Sequence, residues 1–381
     1  MKLRILFLSL CCHFIAFGQP SADSLHLRFE PYTSLRSHFA IIEDEAEFQD
    51  NASRVGFTAG VKTTSSSIEF FGHVELSIRL IESSVNLNTD SRTSSGFVIL
   101  NRDQESQVFA ARLGYLGVDF GRYGLLTLGK QWSTYYDVSG ITDRFNVFGG
   151  TASNTYVGAT DGSIGTGRSD QAMIYRNRIG NFNMGVQVLF SNTLNDNFVD
   201  GYGASLRYYL TPFMSLGAAF QTAIIRNSLI ENTIGFDGDP KYYCFGIRYF
   251  KDNLMLAAVY AQQNNGDLTT GDIDEEEFPT VIYDDQGLEL AGKYFWNNFR
   301  FLGGINFEWP DTAGLPVNED FVTRDYIFGV EYHSSKLSYL YAEYRVESGY
   351  DVQGKSPPDV FTIGLRIDLS HIGEKTMALD D

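Results

Sequence analysis

Apolar and polar residues alternate one by one along most of the chain. Ile68, Phe70, Val74, Leu76, Ile78 and Leu80 are interleaved with Glu69, His73, Glu75, Ser77 and Arg79. Phe182, Met184, Val186, Val188 and Phe190 are interleaved with Asn183, Gly185, Gln187 and Ser191. The same rhythm runs through Phe299, Phe301, Ile305, Phe307 and Trp309, and again through Phe361, Ile363, Leu365, Ile367 and Leu369. A period of two sends successive side chains to opposite faces of an extended strand. Such segments, about ten residues each, match the span of a tilted membrane strand. They recur at 25–39, 54–63, 68–81, 108–120, 124–133, 171–178, 182–191, 201–210, 214–223, 241–250, 254–262, 287–296, 299–308, 325–333, 337–346 and 360–369. The pattern predicts sixteen strands.

The connections sort by length. Those at 64–67, 121–123, 179–181, 211–213, 251–253, 297–298 and 334–336 are tight. Those at 40–53, 82–107, 134–170, 192–200, 224–240, 263–286, 309–324 and 347–359 are long and polar. Strict short–long alternation puts all tight turns at one end and all long loops at the other. A soluble sandwich has no reason to do this; an outer-membrane barrel does. Hydrocarbon offers the backbone no hydrogen-bond partner, so spanning strands must close into a ring. The predicted fold is therefore all-β: a transmembrane antiparallel β-barrel of 16 strands around an aqueous lumen. Phe299 and Trp309 share the outward parity ten residues apart, which suits an aromatic belt at each interface.

Composition supports this reading. The chain has 30 Phe and 22 Tyr, and they fall mostly on the outward parity. A net charge of −18 leaves no basic face for nucleic acid. Beyond the first 18 residues no apolar run reaches the roughly 20 residues of a spanning helix. Residues 1–18 read as a secretory signal: Lys2 and Arg4, an apolar stretch, then Ala16-Phe17-Gly18 before Gln19. A lipoprotein signal cleaved before Cys11 would need a small residue where Leu10 stands. The expected organisation is signal peptide 1–18, barrel 19–369 and C-terminal tail 370–381. Cys11 and Cys12 leave with the signal, so Cys244 has no disulfide partner. The seven long connections other than the third together hold 28 acids against five bases. The acidity is thus expected on one end of the barrel, where divalent cations would bridge it to lipopolysaccharide.

The third long connection differs. It is rich in glycine and contains Phe148-Gly149-Gly150. Together with Ser53-Arg54-Val55-Gly56-Phe57, residues 124–131 (GLLTLGKQ), Thr142-Asp143, Gly167-Arg168 and Tyr175-Arg176-Asn177, it resembles the general diffusion porins of the Gram-negative outer membrane. The likeness follows strand order through the mature chain and is most specific over 108–190. It implies a third external loop folded into the lumen as a constriction, and passive diffusion of small hydrophilic solutes and ions across the cell outer membrane. It also implies a homotrimer, with the second loop (82–107) bracing a neighbour. Carried over position by position, Arg54, Lys130 and Arg168 form the basic wall of the constriction. Asp143, Phe148, Gly149 and Gly150 form the facing loop.

The departures are specific. Val147 and Thr151 stand where the family carries acids, leaving Asp143, Asp137, Asp161 and Asp170 to supply the acidic side. Plain alternation puts Lys130 with Leu126 and Leu128 on the lipid face, at a cost of about 2–4 kcal/mol near mid-bilayer. A bulge at Gly129 would turn it inward. The last strand ends at Leu369 rather than in a terminal aromatic.

Enzyme readings fail on residues. The one His-x-Ser match, His333-Ser334-Ser335, starts a tight turn at the wrong end for a barrel phospholipase. The acidic run Asp272-Ile273-Asp274-Glu275-Glu276-Glu277 lacks the spaced ligands and central glycine of a calcium loop. No cofactor or metal motif appears. The alternative is a substrate-specific channel for sugars or anions on the same barrel. A sugar channel needs a ladder of lumenal aromatics, and here the inward parity offers Tyr339 and Tyr341.

Overall fold

Neighbouring strands pair antiparallel in register from the first to the last, and the last pairs back onto the first. The computed structural model describes residues 24–81, 87–88, 109–157, 161–162, 164–190, 198–225, 233–273, 276–370 and 373–378. The signal segment, most of the second loop and the ends of the tail lie outside them. The strands are β1 (Ser24–Ile42), β2 (Glu45–Asp50), β3 (Arg54–Thr63), β4 (Glu69–Ile78), β5 (Phe109–Asp119) and β6 (Leu125–Trp132). After the third loop come β7 (Arg168–Ile179), β8 (Phe182–Leu189), β9 (Gly201–Thr211), β10 (Met214–Ala223), β11 (Thr233–Ile234) and β12 (Lys241–Lys251). The remainder are β13 (Leu254–Ile273), β14 (Glu276–Trp296), β15 (Phe299–Asp311), β16 (Thr323–His333), β17 (Ser338–Glu347), β18 (Val360–Ser370) and β19 (Gly373–Ala378).

Sixteen of these make the ring, which closes where β18 pairs with β1 from Tyr32↔Ser370 to Ile42↔Val360. The other three are extensions. β2 carries the hairpin of β1 upward, beyond β3. β11 adds a short parallel contact to β14. β19 continues β18 along β1, with Phe29 opposite Gly373 and Ser24 opposite Ala378.

The ring is inside out relative to a soluble protein. Phe57, Phe70, Leu116, Phe245 and Phe328 are exposed on its outer face, while Arg112, Gln187, Gln221, Glu289 and Thr362 are buried on its inner side. That is the arrangement hydrocarbon outside and water inside require. Trp296, Phe299, Phe301 and Tyr332 gather at the short-turn end, and Phe307 meets Trp309 at 5.9 Å toward the long-loop end.

Three expectations change in detail. The first long connection is mostly hairpin, since β1 runs to Ile42 and β2 returns at Glu45. The connection expected at 263–286 is also a hairpin, β13 and β14 continuing to Ile273 and from Glu276. Both extend strand pairing beyond the segments that the composition suggests, the second with register shifts between Gln263 and Asp267 and between Thr270 and Asp272. The tail, for which the sequence offers no account, joins the sheet as β19.

Candidate functional site: the lumen and its third loop

Loop 3 (133–167) joins β6 to β7. Its two ends are pinned together: the Ser133 amide donates to the Gly167 carbonyl at 2.9 Å and the Ser133 hydroxyl to that of Thr166 at 2.8 Å. A four-residue helix α1 (Tyr136–Ser139) opens the loop, with the Ser133 hydroxyl accepting the Tyr136 amide. Arg176 of β7 holds its start, donating to Asp137 at 2.9 Å and to the Trp132 carbonyl at 2.7 Å.

From there the loop runs along the inner faces of distant strands. Thr142 donates to Glu289 of β14. The tip is held by Glu343 of β17, whose buried carboxylate accepts three successive amides: Asn146 at 2.6 Å, Val147 at 2.9 Å and Phe148 at 3.4 Å. The Asn146 side chain reaches Glu331 at 3.2 Å and accepts the Tyr339 hydroxyl at 2.8 Å. Val147 and Phe148 pack with Ile327, Tyr341 and Val360. On the way back Asn154, at φ 54°, donates to Asp285 at 3.0 Å. Gln187 of β8 accepts the Thr134 amide at 2.8 Å and donates to the Gly165 carbonyl at 2.9 Å. Such contacts satisfy buried polar groups at both ends, at the tip and on the return limb, so the loop is fixed rather than draped.

The expected site residues fall into three clusters. Lys130 and Arg168 meet over one acid: the Lys130 ammonium is 2.8 Å from Asp161 and 3.1 Å from Asp170, and Arg168 is 3.8 Å from Asp161. Lys130 turns inward because Gly129 has φ 131° and the β6–β7 register shifts between Gly129 and Gln131. Arg168 is fully buried, with its guanidinium 5.7 Å from the Trp132 ring. It therefore belongs to the root of loop 3 rather than to open water. Arg54 sits in a second cluster around Glu75, 4.0 Å away, where Arg112 binds the same carboxylate at 2.8 Å and Tyr32 donates at 2.5 Å.

The third cluster is Asp143, Gly149 and Gly150. Asp143 accepts the Tyr136 hydroxyl at 2.9 Å, and both glycines lie against it, Gly150 with φ 65°. Phe148 faces the wall under the Arg345 guanidinium at 5.2 Å. Of the other acids available to the constriction, Asp161 and Asp170 instead pair with Lys130, and Asp137 pairs with Arg176.

Glu343, Glu331, Glu289 and Arg112 stand in no motif of the sequence. Their one signal is charge on the inner parity of a strand, which lumenal residues share. The two inward tyrosines are engaged by loop 3 and its surroundings: Tyr339 by Asn146, and Tyr341 by Asn51, which donates to it at 2.6 Å. The described part of the second loop also stays home. Asn88 donates to Asn51 and to the Asn146 carbonyl of its own chain.

Below loop 3, toward the short-turn end, lies a cavity of about 670 Å³ whose walls include Arg144, Arg176, Arg178 and Arg207 against Asp119 and Asp137. Its local charge is positive although the chain is acidic.

A sequence model of the Gram-negative porin family matches residues 42–350. Outer membrane porin N of Escherichia coli (strain K12) is 26% identical over 291 residues, covering 67% of this chain and 74% of that one. Outer membrane porin C of Rahnella aquatilis is 24% identical over 353 residues, covering 86% and 94%. Among solved structures, Salmonella typhi OmpF in complex with daunomycin superposes with a TM-score of 0.70 at 17% identity, covering 90% of this chain and 97% of that one. The anion-selective porin from Comamonas acidovorans gives 0.64 at 13% identity, covering 90% and 100%, a likeness of fold alone.

Proposed function

Because the chain belongs to the Gram-negative porin family, we propose that its diffusion path is narrowed by loop 3, with Arg54, Lys130 and Arg168 on the basic side and Asp143, Phe148, Gly149 and Gly150 on the other. The protein is an outer-membrane porin: a channel for passive diffusion of small hydrophilic solutes, and not an enzyme. The observation that carries the proposed narrowing is the grip of Glu343 on the amides of Asn146, Val147 and Phe148. A carboxylate facing three consecutive N–H groups holds the loop tip against the far wall.

The three basic residues have different parts in it. Arg54 keeps 12% of its side chain exposed, whereas Arg168 is buried and acts through Asp161 and Lys130. Charged groups along a narrow pore set ion preference at close range. The arginine-lined cavity beneath the loop favours a second feature, a preference for small anions. Engagement of Tyr339 and Tyr341 in hydrogen bonds argues against a sugar-binding ladder.

The chain works as a homotrimer in this reading. The similar outer membrane protein OmpT of Vibrio cholerae, solved in a trimer form, supports it (TM-score 0.62, 18% identity). Its acidic external loops contact lipopolysaccharide through divalent cations. The deciding measurement is planar-bilayer conductance of the purified protein. Stepwise, ohmic conductance with reversal potentials displaced toward the anion is expected; an electrically silent barrel would overturn the reading.

A further inference from the structure

Where β13 passes loop 3, its pairing with β14 skips from Gln263↔Asp285 to Asp267↔Tyr283. The skip brings Asp267, Asp285 and Glu308 of β15 together, with carboxylate oxygens all within 4.8 Å of one another. Asp285 Oδ1 accepts the Asn154 side-chain amide, while its Oδ2 is buried and meets no N–H donor. The Glu308 carboxyl lies within hydrogen-bond reach of that of Asp285. Two carboxylates so placed must share a proton or a cation. Basic side chains on neighbouring inner faces are engaged elsewhere, Lys293 on Glu331 and Arg345 on Asp325.

A separate observation decides between proton and cation. Gln263 is fully buried and stands directly opposite Asp285, yet neither its amide oxygen nor its nitrogen has a hydrogen-bond partner. Its Oε1 points at the bulge beside Asp267, where it fills the space a Cβ on Gly266 would need. A buried amide in that condition is rare and points to a ligand. Carboxylates plus a neutral amide carbonyl are the oxygen set of a hard divalent cation. Calcium holds its oxygens at roughly 2.3–2.6 Å, so opposite ligands stand about 5 Å apart; magnesium would draw them to about 4 Å.

We propose that Asp267, Asp285, Glu308 and Gln263 form a calcium site that ties hairpin β13–β14 to the return limb of loop 3 through Asn154. The site differs from the acidic run 272–277 and from surface bridges to lipopolysaccharide, because its ligands sit on the inner side of the ring. The ion adds a cross-link beside the hydrogen bonds of Asn154 to Asp285 and of Ser153 and Ala152 to Glu289.

Terbium luminescence tests this on full-length protein refolded in detergent free of lipopolysaccharide. Tyr283, hydrogen-bonded to Asp267, is the sensitiser. One terbium per chain is expected, displaced by calcium at a concentration at least about tenfold lower than by magnesium. Asp285→Asn and Glu308→Gln each weaken binding at least about tenfold, the scale for losing a coordinating group. Gln263→Leu weakens it while leaving a folded barrel by circular dichroism. Absence of tyrosine-sensitised emission in the wild type overturns the proposal and leaves a proton-sharing pair. Emission unchanged in the folded Gln263→Leu variant overturns the assignment of the ligands.

Discussion

Gly129 and Lys130 show how one residue changes a side chain's solvent. Strict alternation puts Lys130 on the lipid face with Leu128; the bulge returns it to Asp161 and Asp170. A Cβ on residue 129 would run into the Gly114 carbonyl oxygen. Gly129→Val is therefore expected to lose the bulge and cost at least about 2–4 kcal/mol, the scale of a lysine at mid-bilayer. Urea unfolding in detergent reads this; an unchanged midpoint would dissociate the bulge from stability. Glu343→Ala leaves three buried amides without an acceptor, at about 1–3 kcal/mol each. The loop tip is then released, and single-channel conductance should rise and become noisier. Unchanged conductance would detach Glu343 from pore size. At the exposed end of the proposed basic wall, Arg54→Glu should move the reversal potential toward cations. Arg168→Glu would instead bury a third acid beside Asp161 and Asp170 and should lower stability more than it shifts selectivity.

At the scale of elements, the first and last strands explain one another. Barrel closure requires a stagger between strands. Here it leaves the lower part of β1, residues 24–29, beyond the end of β18 at Ser370. Without β19 that stretch would present an unpaired row of backbone groups on one side, which membrane strands avoid. Removing residues 371–381 is expected to lower the temperature at which the folded band is lost in SDS, with conductance retained. An identical transition would show that the seam closes without the tail. Loop 3 is the counterpart inside the ring: its glycines and acids are legible in the sequence, but not its anchors. By type and position Asp161 reads as an opposing charge in a constriction, and it is instead a counter-ion for Lys130. Sequence position places a loop residue in a segment, whereas the chain's return path decides which wall it meets.

The molecule as a whole separates its charge by location. The cavity beneath loop 3 is lined by more arginines than acids, while the long connections other than the third carry a large excess of acid. An acidic rim and an arginine-lined cavity inside the ring make opposite predictions for ion preference. The interior governs because its groups lie where solutes are least screened. High salt should accordingly diminish the proposed anion preference, and divalent chelation should loosen lipopolysaccharide from the purified protein.

The sequence by itself determined the strands and their faces. Sixteen alternating segments and a strict short–long order of connections allow one arrangement in hydrocarbon, because every backbone group must find a strand partner. It also located the glycine at which Lys130 turns inward. The tertiary structure alone decided which charges meet. Glu343 with Asn146, Asp285 with Asn154, and Gly373 with Phe29 are each joined across long stretches of chain. Such pairs follow from barrel closure and from the path of one loop inside it, and a period of two carries no information about either.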